Sequence, residues 1–286
     1  MNRNLQGIIW SLGATALASV AAALVKLTAV DFHVFQILFF RQMVILLTAL
    51  PIALRSFPEG LKTKQPGLQA VRLAGAFIAL TAGFWAVSHL PLTTATVLNF
   101  TKTFFVTLLA ARFLAEPFGI HRMLAIVAGF IGVIIVVRPG YESLADPAAL
   151  VAIIGAFGVG VAMTSVRKLS QTESTESLLI YQAVVIGGLA AIPLFWVWVT
   201  PNLIQALLML GIGILATLSQ WMGIRALRLG EASLISSVGY FQLIYATILG
   251  FVLFTELPDG FTLVGAAIIV LSALYSIRRE ARIKSL

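Results

Sequence analysis

The sequence predicts an all-α integral membrane protein with ten transmembrane helices, arranged as two inverted five-helix repeats with both termini cytoplasmic. Three observations carry this. The 286 residues are 60% hydrophobic and only 10% charged, with mean hydropathy +1.02. The apolar residues gather into ten stretches of helical length. The second half of the chain repeats residue types of the first at nearly fixed spacing.

Composition decides the solvent. Soluble domains are about 45–50% apolar and about 25% charged. This chain has too few polar residues to cover a surface in water, whereas lipid tails accept an apolar exterior. The net charge of +8 would fit nucleic-acid binding in a soluble protein. Here the cations lie between apolar runs, so no nucleic-acid partner is expected and membrane topology accounts for the charge. The chain has no cysteine, which excludes disulfides, thiolate metal sites and cysteine nucleophiles.

The stretches run over residues 5–25, 33–54, 70–89, 92–113, 119–137, 148–166, 178–199, 203–225, 232–254 and 260–277. A hydrocarbon core of ~30 Å needs about 20 helical residues. Pro58, Pro66, Pro91, Pro117, Pro139, Pro147, Pro201 and Pro258 fall at or near the boundaries, where a missing N–H costs little. The first stretch has a counterpart later in the chain, so a cleavable signal is not expected.

Loop charges set the orientation. With the N-terminus inside, fifteen cations are cytoplasmic: Arg3, Arg55, Lys62, Lys64, Arg72, Arg112, Arg122, Arg167, Lys168, Arg225, Arg228, Arg278, Arg279, Arg282 and Lys284. Only Lys26 and Arg138 lie on the other side, a strong positive-inside bias. The basic tail from Arg278 to Lys284 also suits contact with membrane lipids.

The repeat is read from charged and proline matches. Residues 86–138 align with 226–278 at a constant offset of 140, bringing Glu116 onto Glu256 and Arg138 onto Arg278. Earlier positions align at an offset of 142, bringing Lys26 onto Lys168 and Pro51 onto Pro193. The expected units are residues 1–140 and 147–286. Five helices per unit is an odd number, so the second unit starts from the opposite face, an inverted-topology repeat.

Two cations, Arg41 and Lys102, fall inside the membrane. Lys102 lies roughly 15 Å into the fourth stretch at 1.5 Å per residue, near the midplane. Its repeat partner is Gln242. Thr96, Asn99, Thr103 and Thr107 follow helical spacing beside Lys102, and Ser233, Ser236, Ser237, Tyr240 and Thr247 stud the ninth stretch. Two such stripes facing each other would line a cavity. A charge in hydrocarbon costs at least ~2.5–3.5 kcal/mol and therefore usually faces protein or water, often for a function. The bland alternative for Lys102 is bonding to helix carbonyls or snorkelling, which its depth disfavours. Arg41, roughly 12 Å below the outer edge of the second stretch, either binds substrate or ties helix carbonyls together.

Absences narrow the reading. No Asp or Glu lies near the centre of any stretch, leaving the core positive and favouring a carboxylate or other anionic group over a zwitterion. Trp85, Trp221, Tyr240, Phe241 and Tyr245 offer rings for a cation, with ordinary packing the better account of most. His33, His89 and His121 stand singly, so neither metal nor cofactor is expected. GAFGVG at 155–160 lies in an apolar helix and reads as close helix approach. Ala125, Gly129, Gly132 and Gly265 suit either packing within one chain or a homodimer face, with the monomer favoured.

The segments LPLTTATVLNFTKTFFVTLLAARFLAEP (90–117) with AGFIGVIIVVRPG (128–140), the second copy LGEASLISSVGYFQLIYATILGFVLFTELPD (229–259), and FFRQ at 39–42 resemble EamA-type members of the drug/metabolite transporter superfamily. The resemblance covers nearly the whole chain and implies a secondary transporter of a small metabolite in a bacterial-type inner membrane. Amino acids or related zwitterions are the alternative cargo. An intramembrane enzyme would need a nucleophile–base pair or metal cluster at one depth, and none is visible. A channel or receptor without a transport cycle is the less favoured alternative, which saturable accumulation and counterflow would separate from a carrier. The resemblance also places an arginine at Arg41 in relatives with different substrates, which favours a structural role there. The chain departs from a frequent family pattern in the fourth stretch, where a proline is common near Thr103. The residues expected to contact substrate are Lys102, Asn99, Thr103, Gln242, Tyr240, Trp85 and Arg41.

Overall fold

A computed structural model describes residues 3–54, 63–113, 120–137, 147–169, 172–229, 238–239 and 241–283. These form helices α1 (Arg3–Thr28), α2 (Val34–Leu54), α3 (Pro66–His89), α4 (Leu92–Asn99), α5 (Lys102–Phe113), α6 (Ile120–Val137), α7 (Pro147–Leu169), α8 (Thr175–Val197), α9 (Leu203–Leu229), α10 (Phe241–Phe254) and α11 (Gly260–Ile283). No strand occurs among the described residues. Seven helical segments are long and apolar enough to cross a membrane, and Ile126–Val136, Phe241–Phe254 and Gly260–Ser272 are shorter apolar helices.

Local chemistry sets the boundaries. Pro66 and Pro147 open α3 and α7, where no N–H partner is needed. Ser174 caps α8 by accepting from Ser177 N–H at 3.1 Å. Asn202 and Gln205 cap each other at the start of α9, with bonds of 2.9 and 3.0 Å. Thr255, at φ 57°, ends α10 in the left-handed conformation, its N–H bonded to Phe251 O at 3.0 Å. Thr15, Ser19, Thr81 and Thr217 return their hydroxyls to carbonyls four residues back, which satisfies them without water.

Lipid is as apolar as leucine, so helices associate through close packing rather than the hydrophobic effect. The most extensive pairs are α3 with α7, α1 with α9, α2 with α8 and α6 with α11. Each joins the first half of the chain to the second. Small residues permit the approach: a Cβ on Gly158 of α7 would lie 2.7 Å from Gly75 O and 2.8 Å from Ala79 N of α3. The glycines of GAFGVG therefore serve close helix contact, as the sequence suggested. Gly132 and Gly265 likewise face each other between α6 and α11, a Cβ on Gly132 coming 2.9 Å from Gly265 O. Gln36 pins α2 to the end of α8 through two bonds with the Val199 backbone, at 2.7 and 3.1 Å.

The fourth stretch is not one helix. Phe100 and Thr101 part α4 from α5, and the backbone there tightens to three-residue steps. Thr101 N–H donates to Leu98 O at 3.1 Å, Thr103 N–H to Phe100 O at 3.0 Å and Phe104 N–H to Thr101 O at 3.0 Å. The buried Thr101 hydroxyl also donates to Leu98 O at 2.7 Å, drawing that carbonyl from the regular ladder. A break thus forms without a proline. At the start of α10, Gln242 N–H donates back three residues to Gly239 O at 3.0 Å.

Candidate functional site

The α4–α5 break and the start of α10 lie on one cavity of about 550 Å³. It is bounded by α1, α2, α3, α4, α5, α7, α8, α9 and α10, with Ala18, Ala21, Ala22, Ala79, Gly83 and Ala216 supplying small walls. Its polar lining is Arg41, Thr96, Asn99, Lys102, Gln182, Ser219, Gln220 and Gln242. No acidic side chain is among the described residues that line it.

Lys102 opens α5 and Asn99 closes α4, so the break itself presents both side chains. The Lys102 ammonium donates to Asn99 Oδ1 at 2.9 Å and lies 5.6 Å from the centroid of the Phe100 ring. An ammonium only donates, so the amide oxygen of Asn99 must face it and the amide NH₂ is left to donate elsewhere. The carbonyl-bonded reading of Lys102 is not what the structure contains.

The sequence leaves Arg41 as either a substrate contact or a tie between helix carbonyls. Its Nη1 is buried without a hydrogen-bond partner, and its guanidinium lies 6.0 Å from the Phe84 ring centroid. No carbonyl is tied by it among the described residues. It lines the cavity instead, as an unpaired donor.

Gln242 also reaches the cavity. Thr103 does not: its carbonyl accepts the Thr107 hydroxyl at 2.8 Å, and neither threonine lines the space. Trp85 packs on the largest buried cluster and stacks on His89 at 3.9 Å, which is the packing role. Tyr240 and the serines at 233, 236 and 237 lie outside the described residues. The two stripes do approach each other: α4 packs on α10, and Thr93 donates to Thr247 Oγ1 at 3.3 Å.

Three polar lining residues escaped the sequence reading: Gln182, Ser219 and Gln220. Gln182 is buried, and its Oε1 accepts from Arg72 Nη2 at 3.0 Å. Arg72 also donates through Nη1 to Leu178 O at 3.1 Å, so it clasps α8 from α3. The usable signal was an amide isolated in an apolar helix, which has to bond inside the protein or face a wet space.

A many-spanning helical protein holding a cavity of small apolar walls studded with two cations and several amides is suited to pass solutes, and no metal cluster occurs among the described residues. The chain belongs to the EamA-like transporter family, whose sequence model matches residues 5–138 and again residues 146–278. It is similar to the S-adenosylmethionine uptake transporter of Rickettsia bellii, 28% identical over 279 residues, covering 98% of this chain and 96% of that protein. It resembles the pseudopaline exporter CntI of Pseudomonas aeruginosa at 28% identity over 274 residues, 94% of each chain. The riboflavin transporter of Vibrio cholerae is 25% identical over 283 residues, with 97% and 95% covered. A solved crystal structure superposes with TM-score 0.63 at 17% identity, covering 98% of this chain and 99% of that one. The molecule is therefore a multi-pass transporter of a small metabolite in a bacterial-type inner membrane, and not an enzyme.

Proposed function

We propose that this chain carries a small polar metabolite bearing a carboxylate or other anionic group, by alternating access, as a secondary transporter. The observation that carries the reading is the charge of the cavity. Arg41 and Lys102 line it and no acid faces them among the described residues. A cation held near the bilayer centre without a counter-ion is costly. An incoming anion relieves that cost, and release on the far side restores it. The remaining Lys102 N–H groups are donors awaiting such a group, and Arg41 lines the same space with its Nη1 buried and unpaired. The relatives are named for three chemically unlike cargoes, so the cargo class here is read from this chain's own lining.

Ten spans in two inverted repeats, residues 1–140 and 147–286, with both termini inside, supply the machinery. The packing supports it. Exchanging the halves maps α1–α9 onto α3–α7 and α5–α7 onto α1–α10, and it maps α2–α8 and α6–α11 onto themselves. Two near-equivalent states of such a pair expose the cavity to opposite faces. The small-residue faces of α6 and α11 are occupied by each other, which favours the monomer over a homodimer through that face.

The test is a counterflow screen with the purified chain in proteoliposomes, comparing carboxylates, phosphorylated sugars, amino acids and cations. An anionic solute should give saturable counterflow. Counterflow of cations or amino acids alone sinks the anionic reading. Flux without saturation or counterflow sinks the carrier cycle.

A further inference from the structure

The polar lining differs between the two halves. The first half supplies both cations, Arg41 and Lys102. From the second half come only neutral groups, with Gln182 and Gln242 at the corresponding places. Gln242 matches Lys102 at offset 140, and Gln182 falls one residue from the partner of Arg41 at offset 142. Both cations of the lining thus come from the first half, and the second half contributes amides and a hydroxyl.

Gln182 is not free to present either end of its amide. Arg72 donates to its Oε1 at 3.0 Å, and a guanidinium has no acceptor. The oxygen must therefore face Arg72, and the NH₂ group is the end left for the cavity. Arg72 is itself buried and anchored to Leu178 O, so this orientation is held by α3 and not by solvent. Nothing in substrate-free chemistry requires an oriented amide donor at that place. With its oxygen taken by Arg72, the amide offers the cavity a donor that an acceptor on a solute can engage.

We propose that Gln182 contacts substrate, that Arg72 is its positioning residue, and that the pair reads a carbonyl or amide oxygen on a molecule whose carboxylate lies against Arg41 and Lys102. The substrate class is a carboxylate with a neutral, oxygen-bearing far end. This rests on the anionic reading above and sharpens it. An ammonium at the far end is refused, since the locked amide offers it a donor. An aliphatic far end leaves the NH₂ unpaired.

Four compounds of similar length separate these cases: adipamate (carboxylate and amide), 6-methylheptanoate (carboxylate and branched alkyl), 6-aminohexanoate (carboxylate and ammonium) and hexanamide (amide alone). Binding to the full-length detergent-purified chain is read from ligand-induced thermal stabilisation as an apparent Kd. Adipamate should bind at least about fivefold tighter than the alkyl and ammonium compounds, the scale of one buried hydrogen bond. Gln182→Glu keeps the acceptor toward Arg72 and removes the donor, so the fold should persist while the preference for adipamate over 6-methylheptanoate disappears. Arg72→Met frees the amide to turn and should blur the same ratio without abolishing carboxylate binding. Should the carboxylates bind with no preference, or should the preference survive Gln182→Glu, this inference is overturned and the anionic reading stands. Tighter binding of 6-aminohexanoate overturns it as well. If hexanamide binds as tightly as adipamate, or if none of the four binds, the anionic reading fails and takes this one with it.

Discussion

Lys26 and Glu256 form an ion pair that ties the end of α1 to the residue two past the end of α10. The Glu256 carboxylate also accepts Leu92 N–H at 2.9 Å, at the start of α4, where the helix dipole favours an anion. Lys26 donates in addition to Leu90 O at 2.7 Å and lies 5.0 Å from the Phe254 ring centroid. One pair thus gathers α1, the α3–α4 turn and α10 at one end of the bundle. Beneath it Ala23, Leu92 and Ala246 pack as an apolar layer.

Under the proposed alternating-access cycle this end would open in one state and separate Lys26 from Glu256. The chain has no cysteine of its own, so Lys26→Cys with Glu256→Cys introduces the only thiols. Oxidation of the double variant should arrest counterflow, and reduction should restore it. Unchanged flux in a fully cross-linked sample would remove this end from the cycle. In a denaturation double-mutant cycle, Lys26→Met and Glu256→Gln should couple by about 1–3 kcal/mol, since the pair is part-buried and hydrogen-bonded on both sides.

Close packing of α3 on α7 gives a second expectation. Gly158 has Gly75 O and Ala79 N where a Cβ would go, both of them backbone atoms that cannot turn aside. Gly158→Leu should therefore destabilise by about 1–3 kcal/mol or more, through forced separation of the two helices. Gly188 has nothing within 4 Å of its Cβ position, so Gly188→Ala is the matched control and should leave the melting temperature unchanged. Equal melting of the two variants would mean that the α3–α7 contact does not limit stability.

Much of the fold was legible because a bilayer makes apolar length a direct report of structure. The break at Phe100–Thr101 was not, since no proline or glycine marks it. It arises from the Thr101 hydroxyl taking a carbonyl, a local competition that composition conceals. Lys102, Asn99, Arg41 and Gln242 were legible as polar groups stranded in apolar stretches, and all four line the cavity. Thr103 and Thr107, drawn on one stripe of an unbroken helix, lie beyond the break and are not among the residues lining the cavity. Gln182 was missed for a different reason. Its partner Arg72 counts among the cytoplasmic cations by position, yet it lies within α3, buried against α8. Charge counts along a sequence do not reveal which cation folds inward.

The proposed orientation has its own test. Even without the inward-folded Arg72, fourteen loop and helix-end cations against two predict both termini inside for an even number of spans. A fluorescent reporter that matures only in the cytoplasm, fused after Leu286, should glow, and an alkaline phosphatase fusion at the same place should stay inactive. The reverse pattern rejects the ten-span, N-inside topology.

Lys102 carries the last expectation. Its ammonium sits where α4 gives way to α5, bonded to Asn99 Oδ1 and facing a cavity without an acid among the described residues. One N–H is engaged by Asn99, and the others have no acceptor among the described residues. Substrate would supply one, and a productive cycle requires that bond to break again on the far side. Lys102→Met deletes a costly buried charge while keeping most of the stem, so folding should be preserved, as read from an unchanged elution profile and melting curve. Counterflow of an anionic substrate should fall at least tenfold, equivalent to about 1.4 kcal/mol of lost binding where affinity limits the rate. Lys102→Arg should recover only part of it, since the planar guanidinium needs more room than the ammonium and meets Asn99 in a different geometry. Asn99→Leu should weaken the same substrate less than Lys102→Met, because it removes a neutral partner and leaves the charge. Wild-type affinity and flux in Lys102→Met would return this lysine to a structural role and leave Arg41 as the cation to examine.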